Sequence, residues 1–538
     1  MNLRATNLGK LSRQEYDVLI LGAGINGAVA AAALATRGVR VALIDRGDFA
    51  SETSSNSSNL AWGGIKYLES GELSLVNKLC RSRNHLLHHY PSRVREVRFF
   101  TTIQRGFRLP VWMVFMGTLL YWAIGRFYTQ APRYLTRRQI ETQEPVIDTA
   151  KVAAGFEYSD CYLHDNDSRF VFNFVRAALD HGCIAANYVE ALHSERRDGR
   201  WVTQARDVMS GREYTVRAKV LINACGPWVD RRNAADGQAT EHHHVFSKGV
   251  HLIVDRVTPQ QRVLTFFASD GRLFFMIPMG PKTCIGTTDT QVECPESDIT
   301  DEDRRFLLDN ANALLKLSRP LTLDDIIAER CGVRPLAVQD VTDKADWVQL
   351  SRKHVIDVDR VAQRVSIFGG KLTDCINVGN EIVELIASLG IDVPFPDQKW
   401  YGESDTEVRE DFFHQARLMD LDSLTAANAS EPLSERLWRR YNANAFRLLD
   451  QIREDPDEAR QLIENAEYIR CEIELAARRE MITKLEDFMR RRSKIELVLR
   501  QRDIIGAQGL KDACAILFGD EAELRLQEYL DTLEQTAY

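Results

Sequence analysis

The sequence predicts a mixed fold, α/β in its first part and α+β overall, and three observations predict it. Within the first 45 residues a short β-branched strand runs into a glycine turn, an alanine-rich helix and a second strand. Strand-like runs punctuated by turn residues fill the middle of the chain. Beyond about residue 400 those runs vanish, and Leu, Ala, Glu and Arg recur at helical spacing.

The opening segment reads DVLIL at 17–21, GAGINGAVAAAALATRG at 22–38 and VRVALID at 39–45. Two buried strands flank a helix of small residues, as a helix packed tightly on a sheet requires. In the middle, TVRAKVLINACG at 215–226 is a strand entering a glycine turn. HLIVDRV, RLFFMIPM and KTCIGTTD at 251–289 read as successive strands of one sheet. FGGKLTDCINVGNEIVELIASLG at 368–390 is a glycine turn opening a helix. In EIELAARREMITKLEDFMRRR, Met481, Leu485 and Phe488 fall on one helical face. The arginines at 490–492 are expected on a solvated surface.

Composition narrows the function. The chain has 538 residues and a net charge of −8, so no global basic field points to nucleic acid. Its ten cysteines form no CxxC pair, which suits reduced cytosolic thiols. The triplet His242–His244 has no carboxylate or cysteine at ligand spacing, so a polar loop is expected and no metal. The first 20 residues lack a signal-peptide pattern. LPVWMVFMGTLLYWAIG at 109–125 is shorter than the roughly 20 residues that span a bilayer. Two readings of it stand: a buried core helix, or a helix dipping into one leaflet between Arg108 and Arg126.

Gly22, Gly24 and Gly27 form GxGxxG directly after a strand and at the start of a helix. The first glycine permits the turn, the second admits a pyrophosphate to the backbone, and the third allows helix–sheet contact. The helix N-terminus supplies N–H donors, and Asp45 ends the next strand where an acid holds a ribose hydroxyl. This order predicts a Rossmann-type dinucleotide site. Spacing does not decide between NAD and FAD.

The chain resembles the FAD-dependent, membrane-associated respiratory glycerol-3-phosphate dehydrogenases. The resemblance runs through GAGINGA at 22–28, the serine loop at 51–58, GGIKYLE at 63–69, VLINACGPWVD at 220–230 and KGVHLIV at 248–254. It continues through IPMGPKTCIGTTDT at 277–290, GVRPL at 332–336, FGGKLT at 368–373 and LSERLWRRY at 433–441. It implies an FAD-binding domain of the glutathione-reductase/D-amino-acid-oxidase type over 1–399. A substrate domain would be interleaved at roughly 90–150 and 240–350, with a helical domain at 400–538. FAD would be held by Gly22, Gly24, Gly27, Asp45, Ser54, Ser55, Val189, Ala224, Gly226, Gly370, Lys371, Leu372 and Thr373. The catalytic set would be His251 as general base, Arg334 and Lys371, with Lys66, Tyr67, Arg334 and Arg352 on the substrate. The implied reaction oxidises sn-glycerol 3-phosphate, a small phosphorylated polyol, to dihydroxyacetone phosphate and passes electrons to quinone. The implied place is the cytoplasm, peripheral on the inner face of the membrane, with a homodimer as the assembly to test.

The chain also departs from the family pattern. Asn59 stands where a lysine is usual, Trp62 where a histidine is, and Lys66 where an arginine is; LHDNDSR at 163–169 is longer than its counterpart. These changes keep two alternatives open. One is an FAD-dependent oxidase or dehydrogenase of another small hydroxy or amino substrate. The other is a catalytically silent FAD-binding protein.

Overall fold

The computed structural model describes residues 3–339, 354–427 and 429–535. The chain forms two compact units, one of residues 1–55, 165–245 and 335–538, the other of 56–164 and 246–334. The second unit opens at residue 56, well before the segment near 90 expected from strand patterns. The cause is the two-residue strand Leu60–Ala61, too short to show periodicity, which pairs with Val152–Leu163.

The first unit is built on a sheet ordered Val355–Asp359, Arg364–Phe368, Glu213–Asn223, Glu15–Leu21, Val41–Ile44 and Ile184–Ala186. All neighbours are parallel except the first pair. Glu15–Leu21 is buried at every position after its first, as expected of a parallel strand covered on both faces. The helix Ile25–Thr36 is buried along its length from Asn26 onward. Its alanines let it lie between the helices Asp167–Asp180 and Cys375–Ser388. The cross-over at Ala224 therefore returns beside the first glycine turn, where Ala224 N–H donates to Leu21 O at 2.8 Å.

The helices beyond residue 400 pack around their own apolar clusters, one including Phe412, Leu437 and Trp438, another Ile473, Leu485 and Phe488. Buried ion pairs tie them to the sheet. Arg492 donates twice to Asp48, at 2.7 and 2.8 Å, and Arg491 Nε donates to the same carboxylate at 2.7 Å. Burial alone would raise the Asp48 carboxyl, but the Arg492 and Arg491 charges hold it down at about 2. The arginine run at 490–492 is thus corrected. Arg491 and Arg492 are buried counter-ions, and only Arg490 has the partly exposed role expected of it, pairing with Glu496. The long LHDNDSR segment serves the same junction. Asp165 lies 3.0 Å from Arg439 and 3.3 Å from Arg440, Asn166 donates to Ser493 O, and Arg169 pairs with Glu480 at 2.6 Å.

The second unit is a largely antiparallel sheet in which Val94–Gln104 pairs along its length with Val152–Leu163. Its core gathers Phe100, Val250, Leu252, Leu264, Phe274 and Ile285. The apolar segment forms the helix Val111–Ile124, and only Thr118 and Tyr121 of it are buried. Trp112, Met113, Met116 and Leu120 are 62, 43, 53 and 49 % exposed, which removes the core-helix reading. Periodicity could not reveal this, because the segment is apolar on all sides. The helix is fastened at Tyr121, whose hydroxyl lies 2.8 and 2.9 Å from the Asp160 oxygens, beside Arg83 at 2.8 Å from the same carboxylate.

Candidate cofactor cavity and substrate-side residues

The first unit carries a cavity of about 330 Å³ at the glycine turn. It is lined by Gly22, Gly24, Asp45, Ser54, Val189, Ala224, Gly226 and Gly370, among others. Gly22 holds φ +95°, open to glycine, and turns the strand toward the helix. Gly27 lies beneath the lining; a Cβ there would come 1.8 Å from Gly22 O. Gly24 caps the helix with no side chain of its own, and the helix N-terminus faces the cavity with Ser54 Oγ on its first N–H, at Ile25. Asp45 accepts from Ala23 N–H at 2.6 Å and Gly47 N–H at 2.9 Å. Burial outweighs those two hydrogen bonds and raises its carboxyl to about 6.

Other predicted residues fall differently. Ser54 Oγ accepts from Ile25 N–H at 3.0 Å, so it borders the helix start as expected. Ser55 is not among the residues that line the cavity, and its hydroxyl donates to the Ser51 and Glu52 carbonyls. Val189 N–H is spent on Asp45 O, at 2.6 Å, and is not available to an adenine. Lys371, Leu372 and Thr373 continue the loop past Gly370 without lining the cavity.

Four lining or supporting residues escaped the sequence reading. Arg46, one residue past the VRVALID strand, stacks over Trp228 of the VLINACGPWVD motif at 4.2 Å on the cavity wall. Asn26, the variable position of the glycine motif, donates to Gly369 O at 2.9 Å. His244 Nε2 accepts from Gly369 N–H at 3.1 Å. The histidine triplet is therefore corrected from a polar loop. His243 and His244 begin the strand His243–Asp255, and His242 pairs with Asp357 at 2.7 Å. Glu241, His242 and Asp357 bring ligand-type atoms within 4.8 Å of one another, a companion carboxylate that spacing could not show. Hydrogen bonds within the trio account for the Asp357 oxygens.

In the second unit, His251 and Arg334 share a polar cluster. His251 pairs across the ladder with Gly286, where a Cβ would stand 2.3 Å from the His251 ring. The same absence of a side chain at Gly249 admits the Arg334 guanidinium, which donates to Thr287 Oγ1 at 2.9 Å and lies 3.4 Å from Asp289. His251 is buried, and its Nδ1 has no hydrogen-bond partner. Burial first, then the Arg334 and Arg330 charges, push its pKa down to about 3. The ring is therefore held in its neutral form at ordinary pH. Lys66 and Tyr67 lie on the turn Ile65–Leu68, Lys66 exposed and Tyr67 half-buried against Gly64. Arg352 lies outside the described residues. Asn59 is buried and accepts from Arg330 Nη1 at 3.0 Å, so the cation missing from position 59 has a counterpart on the strand Ala328–Val338.

The comparisons agree with this geometry. Residues 17–352 match the family of FAD-dependent oxidoreductases, and residues 400–519 match the C-terminal domain of alpha-glycerophosphate oxidase. The aerobic glycerol-3-phosphate dehydrogenase of Escherichia coli K12 is 33 % identical over 371 residues, 66 % of this chain and 70 % of that protein. The Bacillus subtilis protein of the same name is 28 % identical over 502 residues, 90 % of this chain and 88 % of that one. The glycerol-3-phosphate dehydrogenase from Bacillus halodurans complexed with FAD shares the fold, with a TM-score of 0.73 at 24 % identity over 99 % of this chain and 97 % of that one. From motif, cavity and relatives together, the chain belongs to the FAD-dependent oxidoreductases, in the family of aerobic glycerol-3-phosphate dehydrogenases.

Proposed function

We propose that the protein oxidises sn-glycerol 3-phosphate to dihydroxyacetone phosphate, with FAD as hydride acceptor and a membrane quinone as the next electron acceptor. The observation that carries this reading is the glycine-turn cavity, set at a helix N-terminus with its acid at Asp45, in a chain of this family. Gly22, Gly24, Asp45, Ser54, Ala224 and Gly226 hold the ADP half, with Gly27 packing the helix beneath it. Gly370 and Lys371 lead toward the ring system. FAD, when bound, supplies the two-electron chemistry. Arg334 binds the substrate phosphate through its planar fork, assisted by Arg352, Lys66 and Tyr67. His251, neutral and with an open Nδ1, orients the reacting hydroxyl.

The membrane side of the reading rests on the helix Val111–Ile124. Among the described residues no helix is long and apolar enough to cross a membrane. The exposed Trp112, Met113, Met116 and Leu120 suit a helix lying at the headgroup boundary on the cytoplasmic side. Arg108, expected to meet lipid phosphate, pairs instead with Glu69 at 2.6 Å.

A second reading, oxygen-linked oxidation of another hydroxy or amino substrate, draws on the Asn59–Arg330 pairing and on Trp62, whose indole N–H points at Tyr158 Oη at 3.4 Å. Anaerobic addition of sn-glycerol 3-phosphate to the purified protein decides the matter. Bleaching of the visible flavin bands is expected. Unchanged bands refute the substrate, and hydrogen peroxide released in air at the rate of turnover refutes the quinone.

A further inference from the structure

The loop Gly369–Lys371, after the strand Arg364–Phe368, has no regular secondary structure of its own to fix it, and Gly369 and Gly370 both hold positive φ, at +62° and +114°. A loop of that kind keeps one conformation only if its peptide groups are held from outside. Two side chains do so at Gly369. Asn26 donates to its carbonyl, and His244 Nε2 accepts from its N–H at 3.1 Å. An Nε2 that accepts leaves the ring proton on Nδ1. Nδ1 stands 3.3 Å from the Asp230 carboxylate, a charge contact and not a hydrogen bond, and the His244 backbone N–H donates to the same oxygen at 2.9 Å. The His244 side chain is wholly buried and rests on Phe368, ring centroids 5.1 Å apart. Asp230 stands on the helix Val229–Ala235, which follows directly on the Ala224–Trp228 turn bordering the cavity. Asp230 thus holds the His244 backbone, and the His244 ring holds the Gly369 N–H, between one cavity turn and the other.

We propose that His244, whose backbone Asp230 holds, is a positioning residue that sets the Phe368–Gly369 peptide plane and so the direction in which Gly370 and Lys371 present their backbone to the flavin. The inference rests on the cofactor reading above. Its chemistry is that of a buried acceptor that gives a loop N–H one fixed partner. Asn26 holds the next peptide group, through the Gly369 carbonyl, so losing His244 leaves a buried N–H unsatisfied without unfolding the loop.

The test compares His244→Gln, whose Oε1 can replace the Nε2 acceptor, with His244→Leu, which fills the space without one. Each protein is stripped of flavin and titrated with FAD, following the visible spectrum, the dissociation constant and the flavin reduction potential. The expected result is that His244→Gln stays within about threefold of wild type and keeps its spectrum and potential. His244→Leu should weaken FAD binding about tenfold or more and displace the potential. Asp230→Asn should fall between them. If Gln and Leu variants match wild type, His244 positions nothing. If the two are equally impaired, the residue acts by packing on Phe368 alone, and the proposal fails. A wild-type protein that takes up no FAD would instead refute the cofactor reading itself and the inference with it.

Discussion

His354 offers a sharp test of how charge supports the flavin-side loop. Its ring is 3 % exposed, with Nδ1 3.0 Å from Asp374 Oδ2 and Nε2 2.7 Å from Glu381 Oε2. Burial disfavours the imidazolium, but the hydrogen bonds to Asp374 and Glu381 outweigh it and raise the pKa from 6.5 to about 9. A folded-state pKa above the unfolded one means that the protonated ring stabilises the fold. That contribution is complete below about pH 6.5 and is lost as pH rises through about 9. The shift corresponds to ~3 kcal/mol at most. Glu381 is 43 % exposed, and solvent screening there brings the figure nearer ~2 kcal/mol. With an unfolding entropy of roughly 2.1 cal/mol/K per residue, a chain of this size should gain ~2 °C in Tm. The perturbation is His354→Gln, which keeps hydrogen bonding and removes the charge. Thermal melts of both proteins from pH 6 to 10 should show a wild-type advantage of ~2 °C at the acid end that closes above about pH 9. Other titrating groups are common to both proteins and cancel in the difference. A gap that stays constant with pH, or widens toward alkaline pH, refutes the charged clamp.

Three further outcomes are expected. Gly24→Val should fold, as judged by circular dichroism, yet purify without visible flavin absorbance; full FAD occupancy would displace the ADP half from this cavity. Arg334→Lys, which retains charge and loses the fork, should raise the KM for sn-glycerol 3-phosphate about tenfold or more while leaving the flavin spectrum unchanged, and an unaltered KM would remove Arg334 from the phosphate. Charge reversal at Arg126 together with Trp112→Ser and Met116→Ser should reduce co-sedimentation with anionic liposomes at least severalfold; undiminished binding would take the helix Val111–Ile124 off the membrane.

What the sequence disclosed follows the range of the interactions. The β–α–β start is legible because the turn, helix and acid lie within 25 residues of one another and each has its own spacing rule. Arg491 and Arg492 are illegible for the opposite reason. Their counter-charge, Asp48, is more than 440 residues away, so a run of arginines looks like solvated surface. His244 is hidden by its neighbours, since three histidines in a row suggest polarity, and only the fold separates the paired His242 from the buried His244. His251 falls in a recognisable motif, but its titration is not legible there, because it is depressed by burial first and then by the charges of Arg334 and Arg330 on another strand. The apolar segment at 109–125 was recognisable in composition. Which side meets the protein depends on the single hydroxyl of Tyr121, a choice no periodicity encodes.

The bond between Asp48 and Arg491 also imposes an order on synthesis. Asp48 lies three residues beyond the cavity acid, and its partner emerges from the ribosome 443 residues later. At about 5–20 residues per second, that interval is roughly 20–90 s. During it Asp48 and Asp165 have yet to meet all of the arginines that the finished structure gives them. A nascent chain stopped short of residue 490 keeps a sheet whose buried acid has nothing to neutralise it, at a cost of several kcal/mol per uncompensated ion. The last fifty residues are therefore not an appendage that a shortened protein could discard. A chain ending before residue 490 should be less stable than the full one, a loss that limited proteolysis of the two would measure.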